Sequence, residues 1–281
     1  RGRVGVGLHF LAPPKMTLTP NPFQSKKGGP NMTMSVNNTN NLEDIIHTVC
    51  GGSAICFLGS GFTSGATDQS GNEILDTSGL KKEIRKIIGN EVSEENVSLS
   101  VLADFCEGDP HLKTELMQII LNRMTLCNPS QIQNKILSLP WRSIFTTNFD
   151  DIAERSLGSQ NSIYITNNTG VSALRLTGNG KKPIYYLHGR AADIIDGNAD
   201  PKIVISEKNY LDLRNNNSDL FSVYENEIHL ANAILFFGYS INDMEIASRL
   251  LNVENLREKC HIIVREGDDE KSLRIRNLEK F

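Results

Sequence analysis

From residue 42 onward the chain alternates between two hydrophobic periods. Leu42 to Val49 sets apolar side chains at helical spacing. Just after it, Ala54-Ile55-Cys56-Phe57-Leu58 is a continuous apolar run, too short for a helix and closed by glycine. That is the pattern of a strand buried on both faces. Helical stretches dominate residues 79–139. The clearest begins at Asp109-Pro110, an N-cap with proline in the first turn, and carries Leu112, Leu116, Ile119, Ile120 and Arg123-Met124 as one stripe. Further strand-like runs follow at Ser143 to Thr147, Ile163 to Thr166, Ile184 to Leu187, Ile203 to Ile205, Ile234 to Phe237 and His261 to Val264. Helix-forming segments such as Asp150 to Leu157 and Leu220 to Ala233 separate several of them.

This alternation predicts an α/β fold, a Rossmann-like doubly wound parallel sheet with a helical insertion between the first and second strands. The insertion, about 79–139, is expected to cover the carboxyl edge of the sheet. Residues 1–40 read differently. Pro13, Pro14, Pro20, Pro22 and Pro30, Lys26-Lys27-Gly28-Gly29 and the Asn-rich stretch from Asn37 to Asn41 offer little apolar surface to offset ordering entropy. They are expected to be disordered, or an upstream remnant, with Met32 or Met34 as a native start. Residues 41–281 then form the domain. The ending, Arg274-Ile275-Arg276 to Phe281, reads as mid-helix and suggests continuation into a C-terminal sensor or assembly domain.

Composition narrows the function classes. A net charge of −4 over 281 residues does not suggest a nucleic-acid binder, which usually shows a basic face. There is no apolar run of membrane-spanning length and no secretory signal pattern, so neither membrane association nor export is expected. Cys50, Cys56, Cys106, Cys127 and Cys260 are odd in number and widely spaced, with no CxxC pair suited to zinc. They read as buried or free thiols in a reducing cytoplasm.

Candidate chemistry sits at the ends of the predicted strands. Gly59-Ser60-Gly61-Phe62-Thr63-Ser64-Gly65 follows the first strand, where glycines let a backbone turn tightly and approach a pyrophosphate. Its GxGxxxG spacing is one residue longer than the usual dinucleotide fingerprint, and a plain strand–helix turn explains it equally well. Thr146-Thr147-Asn148-Phe149-Asp150 closes the next strand. Asn148 can donate and accept, as holding a sugar hydroxyl or an attacking water requires; Asn148 or Asp150 as a helix cap is the structural alternative. Tyr185-Tyr186-Leu187-His188-Gly189 offers His188 as a general base, though a lone histidine is more often structural. Phe236-Phe237-Gly238-Tyr239-Ser240-Ile241-Asn242-Asp243 runs from a buried strand through glycine into a helix, with Asn242 or Asp243 as its cap. All four lie where open parallel sheets bind ligands, beyond the strands' carboxyl ends.

In that order these motifs, with Ile205-Ser206-Glu207-Lys208-Asn209-Tyr210 after the histidine, resemble the sirtuin-like NAD-hydrolase domain of bacterial anti-phage defence proteins. The resemblance covers about residues 42–265. It implies Asn148 and His188 as the catalytic pair, with Gly59, Ser60, Gly61, Phe62, Thr147, Phe149, Asp150, Gly238, Tyr239, Ser240 and Asp243 around the NAD. Within that set, Gly59, Ser60 and Gly61 would approach the pyrophosphate, Phe149 and Asp150 would line the nicotinamide pocket, and Gly238 and Ser240 would sit near the adenosine half. It further implies a homo-oligomer, or a fused or separate sensor domain recognising infection, and no cofactor beyond NAD as substrate. Protein-deacylating sirtuins carry a four-cysteine zinc module and a Pro-Asp-Phe-Arg element after the glycine loop. This chain has neither, continuing Ala66-Thr67-Asp68-Gln69, so no zinc is expected and deacylation is disfavoured. A non-catalytic NAD or ADP-ribose sensor and an NAD-dependent protein-lysine deacylase are the competing readings.

Overall fold

The apolar run Ala54–Leu58 forms a strand, β1, near the middle of a six-stranded sheet. The computed structural model describes residues 39–89, 97–167, 180–194, 202–215, 219–239, 243–250 and 256–263. The expectations for residues 1–38 and for the end of the chain lie outside these. The remaining strands are β2 (Ser143–Thr146), β3 (Ser162–Ile165), β4 (Lys182–Tyr186), β5 (Ala233–Phe237) and β6 (Cys260–Ile263), in the order β3-β4-β2-β1-β5-β6. Every pairing is parallel.

Because a strand's side chains alternate with period two, each uniform apolar run divides between two layers. Ile55 and Phe57 join Phe145, Tyr185, Ile234 and Phe236 on one face. Ala54, Cys56 and Leu58 join Ile144, Ile184, Tyr186, Leu235 and Phe237 on the other. The first face is covered by α8 (Asp219–Leu230) and α9 (Met244–Leu250) through Phe221, Tyr224, Ile228, Ile246 and Leu250. The second is covered by α1 (Thr39–Cys50), α5 (Gln131–Ser138) and α6 (Ile152–Leu157) through Ile45, Val49, Leu137 and Ile152. The sheet is therefore doubly wound, as the alternation predicts. Helix α7 (Glu207–Asn215) adds Leu213 to the first layer, and α10 (Leu256–Lys259) leads into β6.

The helical block between β1 and β2 splits. Helices α2 (Thr77–Ile88), α3 (Leu99–Glu107) and α4 (Pro110–Met124) form a core of their own with Leu80, Ile84, Leu102, Leu116 and Ile120, while α5 packs with the sheet. Side chains of Asp76, Ser98 and Asp109 cap the three helices. Phe149, Ala191, Ile203 and Ile205 belong to the same core, so it rests on the carboxyl edge of the sheet.

One expected strand does not form. Ile203 to Ile205 is extended but outside the sheet, with Val204 N–H donating to His188 O at 2.8 Å. Gly189, at φ +86°, turns the chain away beyond the end of β4. Ile203–Ile205 thus runs beside that turn and not beside β4, where a ladder would be available.

The connection after β1 is pinned to the insertion by a buried carboxylate. Asp68 is 1% exposed. Its Oδ1 accepts from the N–H groups of Ser70 and Asn72 (2.9 Å each), and its Oδ2 from Arg123 Nε at 2.6 Å. A buried charge is stable only when paired and bonded in this way. Asp68→Ala should lower the unfolding free energy in urea by about 3 kcal/mol. An unchanged midpoint would mean the connection holds without it.

Candidate active site

Two turns meet where the sheet order reverses, beyond β1 and β5. Gly59 N–H donates to Phe237 O at 3.0 Å, and Gly61 N–H to Gly238 O at 2.8 Å. Gly238 has φ +62°, and a Cβ there would stand 2.2 Å from Phe62 N. A Cβ on Gly59 would stand 2.5 Å from Tyr239 Cα. These glycines bring backbone against backbone, and the Gly59 and Gly61 amides are engaged by the neighbouring turn. A 3₁₀ turn, Ser60–Thr63, follows. Phe62 points into the core, edge-on to Phe237, and its carbonyl accepts from Gln133 Nε2.

The turn after β2 is tied to the first of these. Thr146 Oγ1 donates to Leu58 O at 3.3 Å and accepts from Asn148 N–H at 3.0 Å. Asn148 Nδ2 donates to Gly59 O at 3.0 Å, so this buried amide bridges the two turns. Asp150 is buried as well, with Oδ1 accepting from Ile152 N–H at 3.1 Å at the start of α6. Burial pushes its carboxyl up to about 7, with the neighbouring Asp151 raising it further and bonds from Ile152 and Asn148 opposing. Asp151 itself accepts from the N–H groups of Leu126 (2.8 Å) and Cys127 (2.9 Å), a structural role.

From the turn after β4, His188 is 4% exposed, its ring edge-on to Tyr210 at 5.3 Å. Its Nε2 lies 3.0 Å from Asp243 Oδ2. Asp243 Oδ1 accepts from Ile246 N–H at 3.2 Å, so the carboxylate also caps α9. Two residues past His188, Arg190 grips Glu154 of α6 with two bonds (2.6 and 2.9 Å) and Asp193 with a third (2.8 Å). Its guanidinium also lies over the Tyr164 ring. This clamp fastens the histidine turn to the segment carrying Asn148 and Asp150.

These turns and the insertion enclose a cavity of about 670 Å³. Ser60, Thr147, Asn148, Phe149, Asp150, His188, Tyr239 and Asp243 line it. Gly59, Gly61, Phe62 and Gly238 stand outside the lining set, shaping the wall, and Ser240 lies outside the described residues. The sequence pattern singled out neither Asp76 and Thr77 at the start of α2 nor the Arg190–Glu154 clamp, and it gave Tyr210 on α7 a place in a motif but no role in the site. The cap pattern at Asp76 is visible in the sequence, but its position over the strand ends is not. The described lining residues include four carboxyl groups, those of Asp76, Asp150, Glu207 and Asp243, of which Asp150 holds its proton to about pH 7, and no lysine or arginine. The cavity therefore favours a cationic group near its acidic residues and gives an anion no lysine or arginine among the described lining residues. Among the described residues no group of three or more His, Cys, Asp or Glu side chains is arranged to hold a metal. No helix among them is long and apolar enough to cross a membrane.

Gly238→Ala should abolish folding or lower stability by more than about 3 kcal/mol, since strain at positive φ adds to the overlap with Phe62 N; a normal melting curve would refute this packing. Asp150 makes a second, pH-dependent prediction. The folded chain keeps its proton to about pH 7, whereas an unfolded aspartate loses it near about pH 4, so stability falls as pH rises between them by up to about 1.4 kcal/mol per unit. Above that window the effect levels off. Urea titrations of wild type and Asp150→Asn should therefore favour the variant more at pH 8 than at pH 5. An equal difference at both pH values would assign Asp150 an ordinary acidity.

No curated protein matches the sequence. The structure aligns with that of a Sir2 homologue in complex with NAD at 14% identity and a TM-score of 0.43, over 85% of this chain and 94% of that one. It aligns with a second, from work on the mechanism and regulation of Sir2 enzymes, at 12% identity and a TM-score of 0.42, over 86% and 100%. The family model of the SIR2-like domain matches residues 142–280, the part of this chain that carries Asn148, Asp150, His188 and Asp243.

Proposed function

We propose that this chain is an NAD glycohydrolase, cleaving the nicotinamide–ribose bond to release nicotinamide and ADP-ribose, and that it serves anti-phage defence by depleting NAD. The observation that carries the reading is the convergence of Asn148, Asp150, His188 and Asp243, from the turns after β2, β4 and β5, on one acidic cavity at the reversal of the sheet order. NAD presents a cationic pyridinium to that surface. As the C1′–N bond breaks, its electron pair passes to the ring nitrogen and nicotinamide leaves neutral, while positive charge builds on the ribose. Asn148 holds the incoming water or a ribose hydroxyl in line with C1′. His188 accepts the proton that the water gives up as its oxygen bonds to C1′.

The diphosphate contact departs from the one the glycine loop suggests. With the Gly59 and Gly61 amides bonded to the β5 turn, and the hydroxyls of Thr63 and Thr77 donating to the carbonyl and the hydroxyl oxygen of Ser60, the Ser60 hydroxyl is the donor of that wall that faces the cavity. Activity of this kind would exhaust a cell's NAD, so the reading includes control through assembly into a homo-oligomer or through a sensor domain.

The test is NAD loss and nicotinamide release, without added peptide, by the wild type, Asn148→Ala and His188→Ala. Each substitution should reduce turnover by about 10²–10⁴-fold. Wild-type rates in both would overturn the assignment. Cleavage that requires an acylated peptide would identify a deacylase instead, and tight NAD binding with no turnover a sensor.

A further inference from the structure

His188 and Asp243 meet across the sheet, not along it. One follows β4 and the other β5, with β2 and β1 between them in the strand order. At the usual spacing the two strands are about 14 Å apart. No ladder brings these residues together, so the contact depends on turn geometry and on the side chains themselves. Both side chains are buried, at 5% and 10% exposure, with Nε2 and Oδ2 3.0 Å apart. Tyr210 meets the imidazole edge-on and restricts its rotation.

We infer that Asp243 is a positioning residue for His188: its Oδ2 holds the imidazole as the Nε2–H tautomer, its Oδ1 caps α9, and Nδ1 is left as the lone-pair nitrogen for the cavity. Capping α9 alone would be served by Ser, Thr or Asn as well as Asp. A carboxylate carries two acceptor oxygens and no donor, so Oδ1 can take Ile246 N–H while Oδ2 stands 3.0 Å from the imidazole Nε2. An acceptor-only partner on one ring nitrogen sends the proton there and the lone pair to the other. An amide in its place can present its NH₂ and reverse that assignment. The proton-accepting role of Nδ1 rests on the proposed NAD cleavage, whereas the tautomer does not.

The experiment is long-range ¹H–¹⁵N correlation of the neutral imidazoles in the labelled chain, with the His188 signals identified by their loss in His188→Gln. The wild type should show His188 as the Nε2–H form. Asp243→Asn and Asp243→Ser both retain a capping side chain and should melt near the wild type, yet the His188 signature should move toward the Nδ1–H form or a mixture. Their kcat for nicotinamide release should fall about 10²-fold or more, with KM little changed. A wild-type Nδ1–H form overturns the inference by itself, as does a signature unaltered in folded variants. If the wild type cleaves no NAD, the proposed activity fails while the tautomer readout still decides the role of Asp243.

Discussion

The closest constraint in this molecule is the contact of two turns that have no room for a side chain between them. Gly59 and Gly61 lie against Gly238 and Tyr239, joined by two backbone hydrogen bonds, with Gly238 in the left-handed region. A single methyl group there would overlap backbone atoms, which cannot yield as a flexible side-chain tip can. The contact holds the ends of β1 and β5 together at the point where the sheet order reverses, which is where the crevice opens. Asn148 then hangs its amide from Gly59 O. The glycines thus act on the site chiefly by setting distances between the elements that line it.

The polar residues of the cavity carry two duties each. Asn148 braces the β1 turn, Asp150 bonds the first turn of α6, and Asp243 caps α9, while all three line the cavity. Structural and chemical readings of these residues are therefore not competitors. A buried polar side chain needs partners to offset its desolvation, and backbone groups at strand ends and helix starts supply them. The same bonds fix the side chain's direction. Around them, the Arg190–Glu154–Asp193 clamp and the insertion core with Phe149 limit how far the turns can drift.

Much of this was legible beforehand, for identifiable reasons. β1 and β5 are runs that only a doubly covered strand accommodates, and Asp109-Pro110 starts α4 as its cap chemistry requires. Ile203 to Ile205 misled because three apolar residues have strand composition wherever they lie; their lack of a partner depends on the turn at Gly189. Arg190 was overlooked because its acceptors lie 36 and 3 residues away, the more distant on a different element. Asp68, in a stretch conspicuous only for lacking a Pro-Asp-Phe-Arg element, proved to anchor the connection to Arg123, 55 residues on.

By itself, the sequence determined the alternation of strands and helices, the doubly wound class and the clustering of chemistry at strand ends. These follow from local periodicity, cap residues and glycine placement, which act over a few residues at a time. The tertiary structure decided which amides are engaged, that Asp243 faces His188, that Asp150 is buried beside Asp151, and that four carboxyl groups share one cavity. Those outcomes depend on turns from non-adjacent strands meeting in space. Burial and charge act through distance, and distance between such turns is set only when the sheet, the insertion and the glycine contact have formed together.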